Sequence, residues 1–85
     1  MPTIKLYANL RKIAGKKALS IPGANLGEVL SLMIERYPAL GEFVLEIGQI
    51  RSHLIITING HNTTDLNVVV TEQDTIAIFP PIAGG

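Results

Sequence analysis

Alternating apolar and polar residues predict most of the β-structure in this chain. From Thr3 to Ala8 every second residue is apolar, a spacing typical of a strand with one buried face. Residues 17–22 repeat this spacing, and residues 54–58 form the most β-prone run. A last strand is predicted over residues 75–79. We therefore expect four main strands, with the one at 54–58 in the centre of a sheet.

Helical spacing replaces the alternation between residues 25 and 47. Asn25 is suited to be an N-cap, and Glu28 three residues later matches the pattern of a capping box. Apolar residues then recur at helical spacing, namely Leu26, Val29, Leu30, Met33 and Tyr37. Pro38 bounds this amphipathic helix. A weaker repeat at Leu40, Phe43, Val44 and Ile47 predicts a short second helix over residues 39–47, ended by Gly48.

Turn signals connect these elements. Residues 9–15 predict a short turn with room for one helical turn, and Asn59-Gly60 predicts a tight turn into a short returning strand at 61–64. A connection over residues 65–74 leads to the last strand. This order of elements indicates an α+β fold. A β-grasp, or ubiquitin-like, roll fits it, with a mixed sheet of four to five strands packed against one main helix and a short second helix.

Composition and charge exclude several classes of function. At 85 residues the chain has room for one domain. Seven Lys and Arg residues balance seven Asp and Glu residues, so nothing supports nucleic-acid binding, which needs a basic excess. Without cysteine there is no disulfide, thiolate metal site or cysteine nucleophile. No signal-peptide pattern and no apolar run of membrane-spanning length are present, so we expect a cytoplasmic protein.

Few polar residues have the spacing of a catalytic or metal site. Neither His53 nor His61 has a carboxylate or serine at a recognisable motif spacing. Glu42 and Glu46 lie one turn apart on the predicted second helix, where a solvated face is expected. We therefore expect no bound metal. A basic cluster near the first turn is either a solvated loop or a docking patch for an acidic partner surface; its members are Arg11, Lys12, Lys16 and Lys17.

The stretch after the last strand carries the clearest chemical signal. Pro80 and Pro81 cannot donate to a β-ladder and keep the backbone extended, so the chain is expected to leave the sheet there. This predicts a β-grasp domain over residues 1–81 and a flexible tail at 82–85. A terminal Gly-Gly pair has no side chains and can enter a narrow channel. The Gly85 carboxylate is the only group on this tail that could react.

Three motifs resemble those of one family. Phe79-Pro80-Pro81-Ile82-Ala83-Gly84-Gly85 is similar to the terminal signature of the MoaD/ThiS sulfur carriers, and within that family to the small subunits of molybdopterin synthase. Residues 7–15 resemble the end of the family's first strand and its Leu-Arg-x-x-Ala-Gly turn. Residues 58–60 fall where the family has a Val-Asn-Gly-like turn. The resemblance spans essentially the whole chain, with the tail motif the most specific part.

This resemblance implies a function in molybdenum cofactor biosynthesis. A MoeB-like enzyme would use ATP to adenylate the Gly85 carboxylate, and a sulfur donor would convert the adenylate to a thiocarboxylate. The tail would then enter the active site of a large, MoaE-like synthase subunit and donate sulfur to a pterin precursor. The chain itself would be the non-catalytic subunit of a hetero-oligomer and would bind no cofactor. The family also places the first and last strands parallel in the centre of the sheet.

The resemblance assigns roles to individual residues. Gly85 would be the reacting residue, and Ala83 and Gly84 would insert with it. The expected partner interface comprises Arg11, Phe79, Pro80, Pro81 and Ile82. Within the last strand, Phe79 lies on the face opposite Ile76 and Ile78. A helix covering the isoleucine face would therefore leave Phe79 exposed at the root of the tail, where an aromatic patch marks a binding site.

Other functions fit the same tail. A ubiquitin-like modifier would be conjugated to a target lysine through activated Gly85. A sulfur carrier for another pathway, such as thiamine-type thiazole synthesis, would use the same thiocarboxylate, although Phe-Pro-Pro before Ala-Gly-Gly fits the molybdopterin branch better. An inert β-grasp interaction domain would use no tail chemistry at all.

Overall fold

The computed structural model describes residues 1–80, which form a mixed sheet, a small hairpin, three α-helices and a 3₁₀ helix. In chain order the elements are β1 (Thr3–Leu6), α1 (Asn9–Ala14), β2 (Ala18–Ser20), α2 (Leu26–Arg36), a 3₁₀ helix (Pro38–Leu40), α3 (Gly41–Val44), β3 (Leu45–Glu46), β4 (Gln49–Ile50), β5 (Ile55–Ile58), β6 (His61–Asn62) and β7 (Thr75–Phe79). Most predicted elements are therefore present, with strands β1, β2 and β6 shorter than predicted.

The main sheet has the order β2-β1-β7-β5-β6. Strand β7 is in the middle, parallel to β1 and antiparallel to β5. The expected parallel pair of first and last strands at the sheet centre is thus confirmed. Strand β5, which was predicted to be central, lies inside the sheet between β7 and β6. The middle position belongs to β7. The predicted β-grasp arrangement, with one main helix on a mixed sheet, is confirmed.

Helix α2 begins where the capping residues predict. The side chain of Asn25 accepts a 2.8 Å hydrogen bond from the amide of Glu28, and the Glu28 carboxylate accepts one of 2.9 Å from the amide of Ala24. The apolar stripe of the helix is fully buried, at Leu26, Val29, Leu30 and Met33. It shares one hydrophobic core with Ile76 and Ile78 of β7. Burial of this face leaves the other face of the sheet uncovered by α2.

The predicted second helix over residues 39–47 is wrong in its second half. A 3₁₀ helix and the four-residue helix α3 end at Val44, and a hairpin of β3 and β4 follows. Its two-residue turn has positive φ at both positions, 51° at Ile47 and 73° at Gly48, which matches a type I′ hairpin turn. Ile47, expected to point inward, is 96% exposed. Glu42 and Glu46 consequently lie on different elements.

Asn59 and Gly60 form the predicted tight turn, with φ values of 52° and 86° between the paired residues of β5 and β6. The Asn59 side chain also accepts from the amide of Thr75 at 2.9 Å and donates to Asp74 at 2.8 Å. The Asp74 carboxylate accepts a further bond from the amide of Thr71 at 2.8 Å. These bonds fix the start of β7. The Thr71 amide and then the Asn59 side chain hold the pKa of Asp74 below its ordinary value.

Candidate functional site

The candidate site lies on the uncovered face of the sheet, where β7 ends. The parallel register pairs Leu6 with Ile78, so the next residues along the two strands, Tyr7 and Phe79, are neighbours on the opposite face. Their rings stack with centroids 4.5 Å apart and an interplanar angle of 14°. On the other side of β7, Phe79 pairs with Ile55, which is 48% exposed. We call the two stacked rings of Tyr7 and Phe79, together with the aliphatic Ile55 beside them, the aromatic row.

Helix α1 places a positive charge beside this row. The chain turns sharply at Ala8, where φ is 54°, and Leu10 is fully buried, which anchors the helix to the core. Arg11 then lies next to Tyr7, with its guanidinium carbon 5.9 Å from the ring centroid, within the range of a cation–π contact. Its Nε also donates a long bond of 3.4 Å to the carbonyl of Leu6. Arg11 and Phe79 are therefore on the same surface, joined through Tyr7.

The other members of the basic cluster lie on α1 and on the segment that leads into β2. Lys12 is exposed on α1, whose end is marked by Gly15 in the left-handed conformation at φ 76°. Lys16 and Lys17 follow as exposed residues that lead into β2. Lys16 lines a groove between β2 and the end of α2, which the aromatic row does not reach. Lys16 therefore also contributes to a second surface, and Arg11 is the member of the cluster that contacts the aromatic row.

The structure describes only some of the expected site residues. Phe79 and Pro80 are both half-buried, so Phe79 is less exposed than predicted because Tyr7 covers one face of its ring. The remaining expected residues lie outside the described part of the chain; they are Pro81, Ile82, Ala83, Gly84 and Gly85.

Tyr7 and Ile55 were not predicted as site residues. The alternation in β1 already pointed Tyr7 away from the core, and the expected parallel pairing with the last strand could have brought it next to Phe79. The position of Ile55 depends on the antiparallel register of β5 with β7, for which the sequence gives no local signal. The row is thus assembled from three segments far apart in the chain.

The ionisable side chains elsewhere in the described part of the chain lie apart from one another or on the surface. Within residues 1–80, no group of three or more His, Asp or Glu side chains could hold a metal ion. His53 and His61 are exposed, in a loop and at the start of β6 respectively. No buried polar or charged side chain occurs in this part of the chain. No helix among the described residues is long and apolar enough to cross a membrane.

Three relatives cover nearly the whole chain. Small archaeal modifier protein 3 of Haloferax volcanii is 27% identical over an alignment of 88 positions that covers 96% of this chain and 96% of that protein. The molybdopterin synthase sulfur carrier subunit of Arabidopsis thaliana is 29% identical over 85 residues, covering 96% of this chain and 80% of that protein. The solution structure of small archaeal modifier protein 1 from Methanosarcina acetivorans is 33% identical and superposes with a TM-score of 0.88, covering 99% and 95% of the two chains.

A match to a family model shows which protein family the chain belongs to. The model of the ThiS family matches residues 4–85, a range that includes all three residues of the aromatic row and the Gly-Gly tail. The relatives agree with this match, since they include one protein named as a sulfur carrier subunit and two named as small archaeal modifier proteins, one of which has a solved structure that superposes on this chain. The chain therefore belongs to the ThiS family, the ThiS/MoaD-type ubiquitin-like sulfur carriers.

Proposed function

We propose that this protein carries sulfur as a thiocarboxylate on Gly85 and delivers it as the small subunit of a molybdopterin synthase. The observation that carries the proposal is the aromatic row with Arg11 beside it, at the point where the chain leaves β7 towards the tail. A carrier needs such a face because partners must dock next to the tail to act on its end. The sulfur carrier subunit among the relatives supports the choice of pathway.

The proposed chemistry begins by activating a carboxylate that is unreactive by itself. A free carboxylate is a poor electrophile, so a MoeB-like partner would use ATP to form an acyl adenylate on Gly85 and release pyrophosphate. A sulfide donor then attacks the acyl carbon, AMP leaves, and a thiocarboxylate remains. In the synthase, this thiocarboxylate gives its sulfur to the pterin precursor. ATP would be bound by the partner, and the sulfur transfer would occur in the active site of a MoaE-like large subunit.

The docking face sets a distance that partners must satisfy. Gly85 is the fifth residue after Pro80, and an extended chain of that length reaches at most about 18 Å. A partner docked on the aromatic row must therefore hold its reactive centre within that distance of Pro80. Glycines at the end pass a narrow channel without side-chain clashes, so the docked face gives the affinity and the tail gives the reach.

Conjugation to proteins is a second candidate function. Two of the relatives are named archaeal modifier proteins, and the same adenylated glycine would react with a lysine amine to form an isopeptide bond. The aromatic row would serve either function, since both begin with the same adenylating partner. The two functions differ only in the acceptor that follows activation.

The acceptor can be tested directly. The thiocarboxylate form would be mixed with the large synthase subunit and the cyclic pterin precursor, and the pterin product would be analysed for dithiolene sulfur by mass spectrometry. We expect sulfur in the pterin and return of the carrier to its carboxylate form. Lysine adducts in cells expressing the intact chain, absent when Gly85 is deleted, would instead favour the modifier. A pterin without sulfur, with the large subunit active on a known carrier, would exclude the synthase function.

A further inference from the structure

We propose that the free edge of β2 binds an extended acidic peptide segment, which adds to the sheet as a further strand. Strand β2 lies at one end of the main sheet, and within residues 1–80 its only partner is β1. The opposite edge of the sheet, β6, offers only two residues. Peptide addition to a sheet edge needs an accessible strand and a groove for alternate side chains, and β2 has both.

The backbone of β2 presents unused hydrogen-bonding groups. Two bonds show which residues turn towards β1: Leu6 N–H to Lys17 C=O at 2.9 Å, and Ile21 N–H to Pro2 C=O at 3.2 Å. Successive residues of a strand direct their N–H and C=O groups to opposite sides. Ala18 and Ser20 therefore point theirs away from the sheet, and both residues are exposed. Together they offer two donors and two acceptors to an added strand.

A groove of about 370 Å³ runs between this edge and the end of α2. Lys16 and Arg36 line it from the two sides, and both are exposed cations. The half-buried Tyr37 contributes a phenol, and the buried side chains of Leu19 and Ile21 form an apolar floor. Among the described residues that line the groove, none is acidic. The groove therefore suits a segment that brings carboxylates to Lys16 and Arg36.

The positive charges beside the groove favour one of two possible occupants of this edge. A second copy of the chain would bring the same cations, and like charges at paired edges oppose association. An acidic strand meets the opposite charge while its backbone pairs with Ala18 and Ser20. The groove shares no residue with the aromatic row. A partner bound at β2 could thus hold the protein while its other face and tail engage a different enzyme.

Amide exchange would test the proposal on the intact chain. The probe is a short acetylated peptide of alternating valine and glutamate, compared with the same peptide carrying lysine for glutamate. With ¹⁵N-labelled protein we expect the acidic peptide to slow exchange of the Ala18 and Ser20 amides and to shift the Tyr37 resonance, with Phe79 unchanged. The lysine peptide should do neither. Shifts at Lys16 and Arg36 without slowed exchange would indicate anion binding only and would overturn strand addition.

Variants make the test quantitative. Arg36→Gln and Lys16→Gln should each weaken the acidic peptide by up to about fivefold at low salt, whereas Arg51→Gln, an exposed arginine outside the groove, should not. Ser20→Pro removes an amide that the native sheet does not use and should abolish binding while the thermal transition is kept. Equal binding to Ser20→Pro and the parent, or to Arg36→Gln and Arg51→Gln, would refute the proposal.

Discussion

Replacing Phe79 by alanine tests the aromatic row as the docking face. The substitution removes a ring that is stacked on Tyr7 at 4.5 Å and stands next to the exposed Ile55. Because the ring is only half-buried, we expect a loss of about 2 kcal/mol in the free energy of unfolding, below the range for a fully buried Phe. The stack should account for about 0.5–1.5 kcal/mol of it, measurable as coupling in a Tyr7→Ala and Phe79→Ala double-mutant cycle.

The effect on partner binding should be larger. A central interface aromatic typically contributes about 2 kcal/mol or more to binding, which corresponds to a roughly 30-fold weaker affinity. ATP–pyrophosphate exchange by the adenylating enzyme measures this, with the carrier varied as the substrate. We expect Phe79→Ala to raise the KM for the carrier and to leave kcat nearly unchanged, because docking is lost while the tail chemistry is kept.

A matched control separates docking from a general loss of apolar surface. Val69 is 73% exposed on the connection before β7, away from the aromatic row. Val69→Ala should leave KM nearly unchanged. It should keep the free energy of unfolding within about 0.5 kcal/mol of the parent. If Phe79→Ala kept the parent KM while folded, or if Val69→Ala raised KM equally, the aromatic row would not be the docking face.

Three further predictions concern the fold and its charges. Ile76→Val in the buried middle strand should cost about 1 kcal/mol and lower Tm by about 4–8 °C, as calorimetry would show; an unchanged Tm would mean a loose core. Asp74→Asn should destabilise the protein at neutral pH, because an amide has one acceptor oxygen where the carboxylate has two, which accept from Thr71 and Asn59. Denaturant titrations should show this difference shrinking as pH falls from about 4 through the lowered pKa of Asp74. A difference that persists in acid would refute that role. Arg11→Glu should slow association with the adenylating enzyme in stopped-flow at low salt only; a salt-independent effect would rule out steering.

The sign of the Asp74 effect follows from its lowered pKa. A carboxylate whose pKa is lower in the folded state than in the unfolded state stabilises the fold above the unfolded pKa. That contribution is lost as pH falls through the folded value, since both states then bind the proton. The same bonds also hold the start of β7 against the Asn59-Gly60 turn, so protonation should loosen the sheet at the end opposite the tail.

Local signals in the sequence were sufficient for some parts of this fold. The capping pair of Asn25 and Glu28 forms as predicted, because its two bonds join residues within one helical turn. Asn59-Gly60 was predictable because a type I′ turn needs positive φ at both residues, which Asn and Gly adopt at low cost.

Other parts depend on contacts or strain that no local pattern reveals. The helical spacing through Ile47 was misleading, because a β-branched residue rarely adopts a positive φ and so gave no sign of a hairpin turn. The approach of Tyr7 and Ile55 to Phe79 requires strand registers set by the whole core. Sequence reasoning therefore proposed Arg11 and Phe79 as interface residues but did not propose Tyr7, which contacts both of them.

Formation of a thiocarboxylate on Gly85 is the most direct test of the central claim. The protein would be incubated with ATP, a cognate adenylating enzyme and sulfide, then treated with iodoacetamide and digested for mass spectrometry of the C-terminal peptide. The chain has no cysteine, and its two methionines, Met1 and Met33, lie outside the C-terminal peptide, so an alkylated sulfur in that peptide reports the thiocarboxylate and is not confused with methionine oxidation. We predict one alkylated C-terminal peptide, dependent on ATP and absent after deletion of Gly85. An unlabelled peptide, with the enzyme active on a known carrier, would contradict the account.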